Sequence, residues 1–343
     1  METRNLISII IPAYNAEPFL SNCLDSIISQ TYPFFEVLII ENGSNDETLN
    51  LAYSFQFKDK RFRVFKNNVK GAAKARNLGI NNSKGDYLTF VDADDKISSD
   101  YLQNLVNGII LNNADISSCS MIGGLEVATS FYDLKKKKDR IKALKIFNGA
   151  TVCKLYTRTI INEIRYDPIL IGEDPLFNLK IIAQNPKVQY IKYSGYHYLE
   201  NSNSVSASID KSNLDDLFHL NILGFEFIQN NEKFNLDLYR YWLSFSIQNI
   251  LVFNNKISNN KELTIKKNLL ICGFLYERYF TINFTLFKLL SSIPIHSIRN
   301  ISLKILMHSN SFRRRIHYPF LEIIKLYRNK MIPKKNKKRR IGD

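Results

Sequence analysis

Acidic residues follow the fourth of a series of apolar segments near the start of the chain. Asp92, Asp94 and Asp95 come directly after the strand-like run Thr89-Phe90-Val91. Two carboxylates at positions i and i+2 repel each other, and a bound Mg²⁺ or Mn²⁺ relieves that repulsion while bridging the oxygens of a diphosphate. The pattern therefore favours a divalent metal held together with a nucleotide. A helix cap at Asp94 or Asp95 is the alternative.

Polar residues also follow the first two apolar segments. The first is followed by Pro12–Glu17 (PAYNAE) and the second by Glu41–Asp46 (ENGSND). An amide or carboxylate such as Glu41 or Asn42 could pair with the edge of a nucleobase, although the residues after them are also typical of a turn. Farther on, Gly71–Asn77 (GAAKARN) places two cations and small residues at a predicted helix start, which suits either anion binding or close helix packing.

Strand-like and helical patterns alternate four times in about the first hundred residues. The predicted strands are Leu6–Ile11, Val37–Ile40, Phe62–Phe65 and Tyr87–Val91, and each is followed by apolar residues at helical spacing. This alternation predicts an α/β fold with a mostly parallel sheet flanked by helices. Ligands bind beyond the carboxyl ends of such strands, so the polar segments should meet at one edge of the sheet.

The pattern loosens after residue 115. Ile116–Met121 and Val188–Tyr193 indicate further strands, Leu176–Ala183 a helix and Lys135–Lys138 an exposed loop, while long helical stretches dominate after residue 210. We predict a catalytic domain at 1–205, a helical C-terminal region at 206–312 and a basic tail at 313–343.

Composition excludes several classes of protein. The 343 residues are 45% hydrophobic, which argues against a disordered chain. The four cysteines are far apart and form no Cys-x-x-Cys pair, which argues against a structural zinc site or a disulfide framework. The glycine-rich loops of dehydrogenases and P-loop ATPases and the hydrolase elbow are absent. Without a signal-peptide layout at the N-terminus, a reducing cytoplasm is the simplest location.

The net charge of +15 is concentrated near the C-terminus, where Arg313–Arg340 carries twelve Lys or Arg and one acid, Glu322. The tail suits an anionic membrane surface, nucleic acid or a solvated end. We favour peripheral attachment to the inner leaflet, because Ile316, Phe320 and Tyr327 contribute to an apolar stripe among the cations. Packing of that stripe on the protein is the alternative. Nucleic acid is disfavoured, because most of the charge lies away from the predicted site.

The motifs together resemble the family 2 glycosyltransferases of the GT-A fold. The resemblance covers roughly residues 5–205 and rests on five segments in order: Ile7–Asn15, Val37–Asp46, Lys74–Gly79, Gly85–Asp95 and Gly172–Asp174. It implies inverting transfer of a sugar from a nucleotide donor, with Mn²⁺ or Mg²⁺ as cofactor. A saccharide or lipid-linked acceptor of bacterial surface polysaccharide or lipopolysaccharide synthesis is implied as well. Retention of the acidic residues disfavours a non-catalytic scaffold with the same fold.

The resemblance also implies roles for individual residues. Asp174 would be the general base, and Asp94 would be the main metal ligand, with Asp92 and His197 beside it. Nucleotide-sugar contacts would come from Pro12, Ala13, Tyr14, Asn15, Glu17, Asn42, Arg76, Asp92, Ala93 and Glu173.

Three of these assignments have open alternatives. His197 lies between two tyrosines and could be a core residue, and Glu173-Asp174 could cap the following helix. Glu41-Asn42 stands where the family usually has two aspartates, which leaves the base preference open, with a UDP-sugar as the first expectation.

Overall fold

The computed structural model describes residues 5–199, except 68, 125, 148 and 170, and scattered positions between 220 and 246. The tail at 313–343 and nearly all of the predicted helical region lie outside the described residues. The chain divides into two compact units, Met1–Trp242 and Leu243–Asp343, and the boundary after residue 205 stays a prediction. In the part of the chain that is described, no helix combines the length and apolarity needed to cross a bilayer.

Strands and helices alternate as predicted through the first half of the described region. The elements are β1 (Ile7–Ala13), α1 (Glu17–Ile28), β2 (Phe35–Glu41), α2 (Thr48–Lys58), β3 (Phe62–Lys66), α3 (Ala72–Asn82), β4 (Tyr87–Phe90), β5 (Lys96–Ile97) and α4 (Tyr101–Asn112). Because β5 separates the Asp92–Asp95 segment from α4, neither Asp94 nor Asp95 caps that helix.

The second half is less regular. It contains β6 (Ile116–Met121), β7 (Ser130–Asp133), α5 (Lys137–Ile146), β8 (Lys154–Thr157), α6 (Arg158–Ile161), α7 (Glu173–Ala183) and β9 (Lys187–His197). The loop predicted at Lys135–Lys138 is exposed, but its last two residues begin α5. Lysine is a good helix former when its side chain stays in solvent. The run of charges therefore did not distinguish an exposed loop from the start of an exposed helix.

One mixed sheet joins the described strands in the order β3-β2-β1-β4-β8-β6-β9-β5, with β7 paired to β9. Strands β1 to β4 are mutually parallel, and β6 and β9 run in the same direction across the intervening antiparallel β8. The carboxyl ends of these six strands therefore lie along one edge of the sheet, where ligands bind in open α/β folds.

The apolar runs explain why the first strands occupy the centre. Every residue of β2 and all but Pro12 of β1 are buried, as expected for strands covered by helices on both faces. Helix α1 covers the sheet with Leu20, Cys23, Leu24 and Ile27, which repeat at helical spacing.

Helix α3 packs against β1 through a glycine. A Cβ added at Gly79 would lie 2.4 Å from Ile10 Cγ2, so the backbone of α3 approaches the sheet more closely than any side chain permits. The small residues of α3 therefore allow close packing on the sheet. This packing places Arg76, which precedes Gly79 in the same helix, beside the sheet edge.

Candidate active site

The loops that follow β1 and β2 are hydrogen-bonded to each other. The main-chain N–H groups of Asn15 and Glu17 donate to Ser44 Oγ (3.0 Å) and Asp46 Oδ2 (3.1 Å). In return, Asn15 Oδ1 accepts from Asn45 N–H at 3.0 Å, and Glu17 Oε2 accepts from Glu47 N–H at 3.1 Å. The polar segments after the first two strands thus form one hydrogen-bonded unit at this edge of the sheet.

Asn42, at the end of β2, anchors the loop between β3 and α3. Its Oδ1 accepts hydrogen bonds from Asn67 Nδ2 at 2.8 Å and from Gly71 N–H at 3.2 Å. Lys70 lies in the same loop, with its Nζ 4.9 Å from the centre of the Tyr14 ring, and 47% of the surface of Tyr14 is exposed. The ends of β1, β2 and β3 therefore bring an amide and an exposed aromatic ring to the same part of the sheet edge.

Arg76 joins carboxylates from two distant parts of the chain. Its Nη2 lies 3.0 Å from Asp92 Oδ1, and its Nη1 lies 2.8 Å from Glu173 Oε1 and 3.3 Å from Asp174 Oδ1. Only 5% of Arg76 is exposed. The loop after β4 and the first turn of α7 are thereby brought to the same point of the sheet edge. We call Arg76, Asp92, Glu173 and Asp174 the Arg76 cluster.

The Arg76 cluster contains three carboxyl groups and one guanidinium. Burial raises the pKa of the Asp92 carboxyl, an effect that the Arg76 guanidinium partly offsets. Burial and the neighbouring Asp174 raise the pKa of Glu173. Buried carboxylates in excess of their cations favour the binding of a further cation.

Thr151 and Lys154 lie beside Asp174. The main-chain N–H of Thr151 donates to Asp174 Oδ2 at 3.1 Å, and 20% of the Asp174 side chain is exposed. Lys154 is fully buried at the start of β8 and its Nζ donates to Ala150 O. Burial lowers the pKa of Lys154 to about 8, against the electrostatic influence of Asp174.

The loop after β4 is held by the end of β9. Tyr196 donates its hydroxyl to Asp95 Oδ2 at 2.7 Å and accepts from the Asp92 N–H at 3.1 Å. Asp95 is 1% exposed, and burial raises its pKa to about 7. Asp95 is thus a structural residue, whereas Asp94 beside it keeps partial exposure.

His197 ends β9 at the same edge. Its Nε2 lies 2.9 Å from Ser98 Oγ, and its main chain pairs with Lys96 of β5, two residues after Asp94. The ring is only partly buried, so it is not a fully enclosed core residue.

A metal ion would need ligands from the donor as well as from the protein. No group of three or more His, Cys, Asp or Glu in the described residues could hold a metal by itself. Mg²⁺ and similar ions commonly use one or two carboxylates plus substrate phosphates. Asp94 and the charge of the Arg76 cluster fit that arrangement.

The predicted residues therefore fall into three environments. Tyr14, Asn15 and Glu17 are exposed on the loop after β1, Ala13, Asn42, Arg76 and Ala93 are buried, and Pro12, Asp92, Asp94, Glu173, Asp174 and His197 are partly buried. The structure brings Arg76 into direct contact with Asp92, Glu173 and Asp174, whereas the side chain of Asn42 contacts the loop between β3 and α3.

Sequence reasoning missed three residues of this edge, namely Asn67, Lys70 and Lys154. Asn67 follows β3 directly, so inspection of that strand end, as of the others, would have found it. Lys154 gave no such signal, because its burial depends on the antiparallel pairing of β8 with β4 and β6.

Known proteins match this chain over the region that contains most of the residues described above. The sequence profile described as "Glycosyl transferase family 2" matches residues 8–165. "Glycosyltransferase GlyA" of Streptococcus pneumoniae is 33% identical over 217 residues, which is 58% of this chain and 31% of that protein. An "Uncharacterized glycosyltransferase" of Haemophilus influenzae is 32% identical over 186 residues, 52% of this chain and 72% of that protein.

A solved structure shares the fold over a longer stretch. The crystal structure of S. aureus TarS 1-349 in complex with UDP-GlcNAc superposes with a TM-score of 0.62 at 22% identity, covering 78% of this chain and 80% of that one. The chain spans less than one third of the pneumococcal protein but most of the Haemophilus protein.

Proposed function

This chain belongs to glycosyltransferase family 2, and we propose that it is an inverting enzyme that uses a nucleoside-diphosphate sugar. The donor we favour is a UDP-sugar, and the acceptor a saccharide or lipid-linked saccharide of bacterial surface polysaccharide or lipopolysaccharide synthesis. The Arg76 cluster carries the proposal, because it gathers carboxylates from the end of β4 and the start of α7 at the ligand-binding edge of the sheet. The UDP-GlcNAc held by TarS, a protein with the same fold, supports the choice of donor.

Asp174 is the proposed general base. Its carboxylate takes the proton of the acceptor hydroxyl as that oxygen attacks the anomeric carbon. The bond from that carbon to the diphosphate breaks at the same time, and its electron pair leaves with the diphosphate. The Thr151 N–H and the Arg76 guanidinium hold the Asp174 carboxylate in one orientation, which limits the entropy lost in reaching the reactive geometry.

Asp94, with Asp92 and His197, is proposed to hold a Mn²⁺ or Mg²⁺ ion together with the donor phosphates. When bound, the ion supplies positive charge that stabilises the departing diphosphate. The Arg76 cluster supports this assignment, because it holds three carboxyl groups close to one guanidinium.

The remaining predicted residues are proposed to form the nucleotide side of the site. Tyr14 and Asn42 follow β1 and β2 at the sheet edge, and Pro12, Ala13, Asn15 and Glu17 belong to the end of β1 and the loop after it. Glu173 and Ala93 are proposed to contact the donor as well. Arg76 contacts carboxylates of the protein in this structure, so a nucleotide contact from Arg76 would add to those ion pairs.

Thermal unfolding with UDP, GDP, CMP and dTDP, each with and without Mn²⁺, tests the proposal. A ligand at about 100 times its dissociation constant adds roughly 2.7 kcal/mol of stability, which shifts the midpoint by several degrees. We expect a Mn²⁺-dependent shift with one diphosphate, and its loss in Asp94→Ala. Asp174→Asn should keep that shift but lose at least 100-fold in sugar transfer.

Two outcomes would count against these assignments. A folded sample that shows no shift with any nucleotide would remove the support for a nucleotide-sugar enzyme. Near-normal turnover in Asp174→Asn would mean that another group accepts the proton.

A further inference from the structure

Asn178 lies one turn after Asp174 in α7 and is fully buried. Residues four apart in a helix project from the same face. Both side chains accordingly contact the segment 149–151, which lies between α5 and β8 and belongs to neither element. The orientation of this segment therefore depends on the side chains that hold it.

The amide of Asn178 donates to two successive carbonyl groups of the segment. Its Nδ2 lies 2.8 Å from Gly149 O and 3.0 Å from Ala150 O. Because a main-chain carbonyl can only accept, these contacts fix which end of the amide is the nitrogen. The other end, Oδ1, accepts from the Tyr156 hydroxyl at 2.9 Å. The Asn178 amide is therefore held at both ends.

One peptide group connects Asn178 to Asp174. Ala150 O and the Thr151 N–H belong to the same planar unit, whose bond is trans, so the two groups point in opposite directions. The oxygen accepts from Asn178 Nδ2, and the N–H donates to Asp174 Oδ2 at 3.1 Å. A rotation of this peptide that releases its oxygen from Asn178 also turns its N–H away from Asp174.

Lys154 Nζ also donates to Ala150 O, but it holds the segment less firmly. Its amine stands at the end of a flexible four-carbon chain and contacts one of the two carbonyls, whereas the planar amide of Asn178 contacts both. Donors at the oxygen also polarise the peptide and strengthen its N–H as a donor, particularly where solvent is excluded. Thr151 is fully buried, so this condition is met.

We propose that Asn178 is a positioning residue for Asp174, because it sets the direction of the Thr151 N–H that holds the Asp174 carboxylate. This inference rests on the proposed function, in which Asp174 takes the proton of the acceptor hydroxyl. Asn178 acts through the peptide and needs no contact with the substrate. Loss of its donors should therefore slow the chemical step and leave donor affinity unchanged.

Hydrogen exchange of the Thr151 amide, measured by NMR on the full-length protein, tests the contact without a substrate. Asn178→Leu keeps the size of the side chain but removes both donors. We expect the Thr151 N–H to exchange at least about tenfold faster in this variant, relative to the amides of β1. Asn178→Ser, which keeps one donor, provides the same comparison if the leucine variant does not fold.

Gln189→Met is the matched control, because it removes another buried amide near the start of β9, at the opposite edge of the sheet. The control should leave the relative exchange of Thr151 as in the wild type. Equal relative exchange in the wild type and in the Asn178 variant would overturn the proposal.

Release of UDP from UDP-GlcNAc and UDP-glucose, with water as the acceptor, measures the effect on Asp174. We expect kcat of Asn178→Leu to fall about 10–100-fold with KM within about twofold of the wild type, whereas Gln189→Met keeps both. In an Asp174→Asn background, Asn178→Leu should cost no further activity, because it acts through that carboxylate. A similar loss in both backgrounds would show a general structural role and overturn the proposal.

Failure of this inference can be distinguished from failure of the proposed function. Normal turnover in Asn178→Leu, together with the expected loss in Asp174→Asn, would overturn the role of Asn178 alone. Near-normal turnover in Asp174→Asn would overturn both. A wild-type protein that releases no UDP from either sugar would count against the proposed donor, and the exchange comparison would still decide whether Asn178 orients the Thr151 N–H.

Discussion

A single guanidinium, that of Arg76, contacts three carboxylates, and lysine cannot reproduce that geometry. The planar fork of arginine reaches Asp92 with one nitrogen and Glu173 and Asp174 with the other. Its contacts are with the protein, so we regard orientation of Asp174 as its main effect, and a direct nucleotide contact stays a prediction.

Arg76→Lys separates these two roles. If Arg76 orients the base, the variant should lose about 10–100-fold in kcat with little change in the affinity for UDP, measured by calorimetry. A nucleotide ligand would give the opposite pattern, with weaker UDP binding and a smaller change in kcat. Arg76→Ala is less informative, because it leaves three carboxylates without their cation and costs about 3–5 kcal/mol of stability.

Lys154 predicts a pH dependence of stability. Its pKa is lowered by burial from 10.5 to about 8. Between these values the unfolded chain holds a proton that the folded protein has released, so this residue makes the free energy of unfolding rise with pH. Below pH 8 the cost of the buried charge is fully present.

Comparison with Lys154→Met isolates that contribution. Across pH 7 to 10, the wild-type protein should gain about 2–3 kcal/mol of stability relative to the variant, measured by denaturant unfolding. Lys142→Met, at an exposed lysine of α5, should follow the wild-type curve. A constant difference between wild type and Lys154→Met would show that the folded protein keeps the proton on the Lys154 amine across this pH range, and hence that burial does not lower its pKa.

At the residue scale, the sequence identifies candidate site residues, and the structure shows which of them are in contact. The acidic segment after β4 was found from its position behind an apolar strand, and Arg76 and Asp174 from the family resemblance. The ion pairs among them could not be predicted, because they depend on how α3 and α7 approach the sheet. Their roles in catalysis stay predictions.

At the scale of elements, the contact of α3 with β1 controls where Arg76 lies. Gly79→Ala would push a methyl group to 2.4 Å from Ile10 Cγ2. We expect a net loss of about 1–2 kcal/mol, since overpacking costs 1–3 kcal/mol and alanine favours helix by up to about 1 kcal/mol.

A double mutant tests this contact. Ile10→Ala removes the atoms that clash, at a cost of about 2–5 kcal/mol for the cavity. The double variant Gly79→Ala, Ile10→Ala should be more stable than the sum of the single effects implies. Simple additivity would contradict a direct contact between the two positions.

The first four strands and helices were predictable because each contains apolar residues in the pattern typical of a buried strand or of one helix face. Strand β5 has two residues, and β7 and β8 have four residues each, too few for a pattern to stand out. The strand predicted at Val188–Tyr193 continues to His197 because Tyr196 and His197 pair with Ile97 and Lys96 of β5, a partner about one hundred residues away that no local pattern encodes.

At the scale of the molecule, residues beyond the predicted catalytic domain pack on it. Leu220 is fully buried, and a Cβ at Gly172 would lie 2.1 Å from its Cδ2. Asp237 is ion-paired with Arg140 at 3.0 Å. Both residues belong to the unit that ends at Trp242, and Leu220 supports the start of α7, where Asp174 lies.

Two truncations compare the possible boundaries. A fragment of residues 1–242 should unfold cooperatively and at a midpoint several degrees above that of residues 1–205, because loss of a buried leucine alone costs about 2–5 kcal/mol. Differential scanning calorimetry gives both midpoints. Equal midpoints would support a domain that ends at residue 205.

The paired loops after β1 and β2 have a consequence for the speed of donor capture. Asn15 is already hydrogen-bonded to Ser44 and Asn45, and Glu17 to Asp46 and Glu47, so these two loops need no ordering when a nucleotide arrives. A surface that is rigid beforehand loses little conformational entropy on association. The rate of nucleotide binding to these loops would then be limited by diffusion and electrostatic attraction rather than by loop rearrangement.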